Sequence, residues 1–187
     1  CPLLLATLLM LAAAPARADA SGAEAPAMHA LRVPPGEPLR LDATLSHPAW
    51  QHAPVHDAFV EQQPDHGAAP AQATSVRVLF DERAIWVAVV AHDARPEAVR
   101  EQVVRYDGVN RTQDFVVVYL DALGSRRAAQ FFRVGAAGSL ADGIHTAADD
   151  SEDFAPDFDW DAAVHRHAGG WTALLRLPFA SLRFAEQ

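Results

Sequence analysis

The chain has 187 residues, half of them apolar, with 15 basic side chains against 24 acidic ones and a formal charge of −9. That acidic balance, carried without a single lysine, argues against a partner whose binding depends on phosphate neutralisation, so no nucleic acid is expected. The only cysteine is Cys1, which removes a disulfide framework from consideration and leaves stability to one hydrophobic core of ordinary domain size.

The chain opens with an almost wholly apolar run, Cys1 to Ala14, followed by Pro15 and by Ala16, Arg17 and Ala18. An apolar run of that length ending in an A-x-A site predicts a signal peptide cleaved after Ala18, and it is too short for a membrane span of about 20 residues. The protein is therefore expected to be exported, to the periplasm, the outer membrane or the extracellular space. Cys1 reads as part of the discarded leader rather than as a lipid attachment site. A basic n-region and an initiator Met do not precede it, so the leader is expected to be incomplete at its start. The leader contributes only Arg17 to the charge, which leaves −10 on the remainder.

Asp19 to Pro38 is rich in Ala, Pro, Gly and Glu without sustained period, and is expected to be a linker ahead of a domain spanning 39–187. From there apolar clusters of strand length arrive between turn residues: 76–80, 85–91, 115–120, 130–134, 160–164 and 171–177. In the second of these, Ile85, Val87, Val89 and Ala91 fall on one face and Trp86, Ala88, Val90 and His92 on the other; two largely apolar faces predict a central strand. The run FVVVYL at 115–120 is β-branched and aromatic, bracketed by Asp114 and Asp121. Only 96–104, with Pro96 and Glu97 at its start, reads as a short helix. Short strands with turns between them predict an all-β, two-sheet antiparallel sandwich of jelly-roll or immunoglobulin-like type, with one short helix.

Seven of the thirteen residues from Asp149 to Asp161 are acidic. Calcium is the candidate cofactor there, and Asp157, Asp159 and Asp161 have the spacing that opens an EF-hand loop. Ala162 and Ala168 stand where that loop needs Gly and Glu, so an EF-hand is excluded and a solvated acidic loop is the plainer expectation. Zinc is disfavoured: Pro54 lies between His52 and His56, and His165 with His167 has no third ligand nearby in sequence. Trp50, Trp86 and Trp171 are expected in the core. Trp160, in the run DFDWD, shares a strand face with Phe158 opposite Asp157, Asp159 and Asp161, and is the tryptophan whose place stays open between core and ligand platform.

Five segments in order, LDATLSHPAW (41–50), VRVLFDERAIWVAVVAHD (76–93), QDFVVVYLD (113–121), AQFFRVGAAG (129–138) and GGWTALLRLPFASLRF (169–184), resemble the family 9 carbohydrate-binding modules and the related domain that precedes an outer-membrane β-barrel in exported bacterial proteins. The resemblance covers nearly all of the chain after residue 38. It implies a β-sandwich that binds a polysaccharide or oligosaccharide, linked to carbohydrate catabolism, or an architectural role beside a C-terminal outer-membrane barrel. It also implies a further strand beyond Gln187 and an unpaired sheet edge without it. The sugar-binding residues it points to are Arg111, Gln113 and Asp114, with Trp160 as a displaced platform. Arg111 stands where such modules carry a tryptophan, and Val117 where they carry an acid. No nucleophile elbow, phosphate loop, H-E-x-x-H or catalytic cysteine is present, so a binding module without chemistry of its own is expected, an attached glycoside hydrolase being the source of any activity.

Overall fold

A computed structural model describes residues 27–183. The expected leader therefore lies outside the described residues. Among the described residues nine strands form two sheets: β1 (Ala30–Arg32), β2 (Thr74–Phe80), β3 (Ala84–His92), β4 (Phe115–Leu120), β5 (Ala128–Gly135), β6 (Leu140–Thr146), β7 (Ser151–Asp153), β8 (Asp161–His167) and β9 (Gly170–Pro178). One sheet has the order β1-β2-β3-β9-β8 and the other β4-β5-β6-β7. The all-β sandwich expected from the sequence is the observed architecture.

Three expectations are corrected. The pairing is not uniformly antiparallel, because β1 runs parallel to β2. That same strand falls inside the stretch expected to be linker: Ala30 to Arg32 pair with Val78 to Phe80, and the Val33 N–H donates to the Phe80 carbonyl at 2.9 Å. Three residues suffice because a ready-made edge on β2 supplies the partner groups. The expected helix at 96–104 is reduced to one 3₁₀ turn at Pro96–Ala98, while a single α-helical turn, α1 (Ala49–His52), forms instead after Pro48. Instead of closing helical turns, the Arg100 N–H donates to Asp114 Oδ2 at 2.9 Å and the Val104 N–H to Ser139 Oγ at 3.0 Å, so distant partners override the local helix propensity.

β3 is central, as its two apolar faces predict, lying between β2 and β9. Its inward residues Val87 and Val89 pack with Phe132, Val134, Leu175 and Leu177 in the core between the sheets. Its outward residues Trp86 and Ala88 pack with Val33, Leu39, Trp50 and Leu174 in a second core, where the N-terminal segment covers the outer face of the five-stranded sheet. Among the described residues the outer face of the four-stranded sheet is covered only in part, by the 105–111 loop and the segment running to Phe154. β5 is strictly two-sided: Phe132 and Val134 point into the sandwich, while Phe131 and Arg133 point out of it.

Candidate functional site

The outward face of the four-stranded sheet carries a cleft of about 830 Å³, bordered by β4, β5, the 105–111 loop and the β7 segment running to Phe154. At its floor is Arg133, an arginine with 7% of its surface exposed. Register explains the placement: Val117 of β4 pairs opposite Arg133, and Tyr119 opposite Phe131, so Phe115, Val117 and Tyr119 share its face.

The guanidinium is held from several sides. Its Nη1 donates to the Val109 carbonyl at 3.1 Å and its Nη2 to Glu152 Oε1 at 2.5 Å. Aromatic rings surround it, with centroids at 4.8 Å (Phe115), 5.4 Å (Phe131) and 5.7 Å (Phe154). The Arg133 Nε–H is buried without a hydrogen-bond partner. Tyr119 donates its hydroxyl proton to the same Glu152 oxygen at 2.8 Å, and burial followed by that bond raises its pKa. Phe131 and Phe154 meet edge to face at 5.1 Å, and Tyr119 meets His145 in the same way at 5.0 Å. Arg105, Asn110 and Arg111, all exposed, stand around the mouth. Aromatic walls, a fixed cation and carboxylate on the floor, and the Arg105 and Arg111 guanidinium groups at the rim suit a ligand with apolar faces and many hydroxyls.

The loop that carries Arg111 is fixed from beneath. Gln113 is 4% exposed; its Oε1 accepts from Asn110 N at 2.9 Å and its Nε2 donates to Thr112 Oγ1 at 2.6 Å. Asp114 receives Arg100 Nη2 at 2.7 Å, Arg100 Nε at 3.1 Å and the Arg100 backbone N–H at 2.9 Å. Of the residues expected to bind sugar, Arg111 therefore reaches the Arg133 cleft, while Gln113 and Asp114 build its loop. All three also border a second, smaller cleft of about 430 Å³ with Gln72, His92 and Trp171.

Trp160 is placed differently from its expectation. It is 6% exposed, packed edge to face on Phe132 at 5.3 Å inside the sandwich, and lines neither cleft. The alternation in DFDWD puts its acids outward and so turns Trp160 toward the core, where burial of a large apolar ring outweighs display. Trp50, Trp86 and Trp171 are each 4% exposed, as expected of core residues. Nearby, the fully buried Asp142 accepts from the Tyr106 hydroxyl and the Phe158 N–H, both at 2.7 Å; burial raises the Asp142 pKa.

Arg133, Tyr119, Glu152 and Phe154 were not singled out from the sequence. One signal was present: an arginine in the middle of FFRVG is a lone charge inside an apolar strand, which needs a partner wherever it is buried. The partner, Glu152, lies 19 residues away in an acidic run that offers seven candidates. Among the described residues no group of three or more His, Asp or Glu side chains is arranged to hold a metal ion, and no helix is long and apolar enough to cross a membrane.

These features define a two-sheet β-sandwich with an open, aromatic-walled polar cleft on one outer face, and its fold is similar to that of family 9 carbohydrate-binding modules. One such module, from Caldicellulosiruptor kristjanssonii in complex with cellotriose, aligns over 85% of this chain and 69% of its own at 16% identity, with a TM-score of 0.54. The same kind of module from that organism in complex with glucose aligns over 85% and 73% at 15% identity, TM-score 0.55. A candidate carbohydrate-binding protein from Bacteroides uniformis aligns over 81% and 72% at 14% identity, TM-score 0.60. No family model matches the sequence, and no curated protein matches it.

Proposed function

We propose that the protein is an exported carbohydrate-binding module without catalytic chemistry of its own, and that its ligand, an oligosaccharide or the end of a polysaccharide, lies in the Arg133 cleft. The observation that carries this reading is the clustering of Phe115 and Phe154 around the guanidinium of Arg133 within an open cleft. A pyranose presents an apolar C–H face that aromatic rings cover and hydroxyls that guanidinium, carboxylate and amide groups bind. Arg133, Glu152, Asn110 and Arg111 supply those groups. The solved structures of similar fold that hold cellotriose and glucose support the ligand class.

Calorimetric titration with glucose, cello-oligosaccharides and a panel of plant and bacterial polysaccharides, with and without calcium, tests the proposal. Saturable binding that weakens about 10-fold in Phe154→Ala is expected, the size of one lost aromatic contact. Silence across the panel from folded protein would overturn it and leave an architectural role beside an outer-membrane barrel as the better account.

A further inference from the structure

The charges lining the Arg133 cleft do not cancel once internal contacts are satisfied. Each carboxylate of the lining already has a partner: Glu152 Oε1 accepts from Arg133 and Tyr119, Asp107 Oδ1 accepts from the Asp142 N–H at 3.3 Å, and Asp150 Oδ1 lies 2.9 Å from His145 Nε2. The guanidinium groups of Arg105 and Arg111 belong to exposed residues and have no hydrogen bond or ion pair among the described residues. On the floor, Arg133 spends one Nη1–H on Val109 and one Nη2–H on Glu152, while its Nε–H is buried without a partner. A chain of formal charge −9 thus brings two uncompensated cations to the rim of one cleft.

The backbone sets both of them in place. Asp107, in the left-handed region at φ +60°, reverses the chain after Arg105; the Gly108 N–H closes on the Arg105 carbonyl at 2.9 Å, and the Asp107 N–H donates to the Leu140 carbonyl at 3.0 Å. Between them Tyr106 donates to the buried Asp142. At the far end of the loop, Arg100 Nη1 donates to the Arg111 carbonyl at 3.3 Å, and the Asn110 N–H donates to Gln113 Oε1 at 2.9 Å. Fixed peptide groups carrying free guanidinium groups can meet a planar acceptor in a two-bond fork without rearranging the loop.

The two ends of the cleft differ in sign. The 105–111 loop leads into Phe115, the first residue of β4, whose ring lies 4.8 Å from the Arg133 guanidinium. Asp150 stands in the turn between β6 and β7; Thr146, just ahead of that turn, pairs with Ala128, at the end of the sheet where Leu120 closes β4. The cations therefore collect beside Phe115, and the exposed carboxylate stands off toward Leu120. A neutral sugar draws no advantage from that asymmetry. A sugar bearing a carboxylate gains charge-assisted hydrogen bonds at the Phe115 end while its apolar face lies on the aromatic wall.

We propose that the Arg133 cleft takes an acidic glycan, one whose pyranose units carry carboxylates as in uronic acids, and that Arg105 and Arg111 hold the carboxylate at the Phe115 end. The assignment rests on the glycan reading given above and narrows it from sugars in general to uronates.

Calorimetric titration of the 187-residue chain with two matched pairs decides it: cellotriose against cellotriuronic acid, and trigalacturonate against its methyl ester. The acid of at least one pair is expected to bind on the order of 10-fold more tightly than its neutral partner, the size of one charge-assisted contact. Raising the salt concentration is expected to shrink that advantage, since screening weakens only the charged ligand. Arg105→Gln and Arg111→Gln are each expected to bring the acid-to-neutral ratio within about 3-fold of unity, and the ratio reports charge separately from any general loss of affinity. Neutral sugars that bind as tightly as the acids in both pairs would overturn the uronate assignment and leave the glycan reading standing; silence from every sugar would overturn both. An acid preference that survives in both variants would also overturn the assignment, because cations elsewhere would then supply it.

Discussion

Arg133 and Glu152 form an ion pair at 2.5 Å on the outer face of the four-stranded sheet, with side chains 8% and 23% exposed. A single oxygen of Glu152 takes both this contact and the Tyr119 hydroxyl, so three strands, β4, β5 and β7, are tied at one atom. Glu152→Gln keeps the shape and removes the charge, leaving a buried guanidinium uncompensated. A loss of about 1–3 kcal/mol in urea denaturation is expected, below the cost of breaking a fully buried pair because Glu152 retains some solvent. A change under a few tenths of a kcal/mol would show that the pair contributes nothing to the fold.

Trp160 separates packing from recognition. Trp160→Ala removes a ring from the core against Phe132 and is expected to cost about 3–5 kcal/mol. Trp160→Phe keeps most of that packing and is expected to leave ligand affinity within about 2-fold, since the residue lines neither cleft. Loss of binding by folded Trp160→Phe would return Trp160 to the recognition surface.

Gly170 begins β9 with φ +131°, and a Cβ there would run into the Ala91 carbonyl of β3. Two central strands approach at a point that only glycine permits. Gly170→Ala is expected to destabilise by about 2–4 kcal/mol, read as a lowered melting temperature, whereas Gly36→Ala, with open space around its Cβ, is expected to cost less. Equal effects of the two substitutions would refute the close approach.

His167 titrates with a pKa below its ordinary 6.5, first because burial disfavours the cation and then because His165, His92 and Arg166 add like charge. Its protonation therefore favours the unfolded chain: this contribution to stability is complete above pH 6.5 and is lost as pH falls through the lowered folded value. Denaturation midpoints measured between pH 7.5 and 5 are expected to fall less steeply in His167→Gln than in the native sequence. Parallel profiles would exclude His167 as the cause.

The sequence alone determined the all-β sandwich class and marked one central strand, 85–91. A strand-length, β-branched run that is apolar on both faces fits a strand buried on both sides, and 85–91 has that pattern in its own residues. The DFDWD alternation likewise contained the information that Trp160 turns inward. Tertiary structure decided the rest. Ala30 to Arg32 become a strand because β2 offers an edge, which no local pattern announces. Arg133 becomes the floor of a cleft because β4–β5 register sets Val117 against it and the return of the chain at β7 brings Glu152 within hydrogen-bond reach. Alternation within a strand is a property of consecutive residues, while register and cross-strand charge pairing depend on segments that meet only after the sheets have formed.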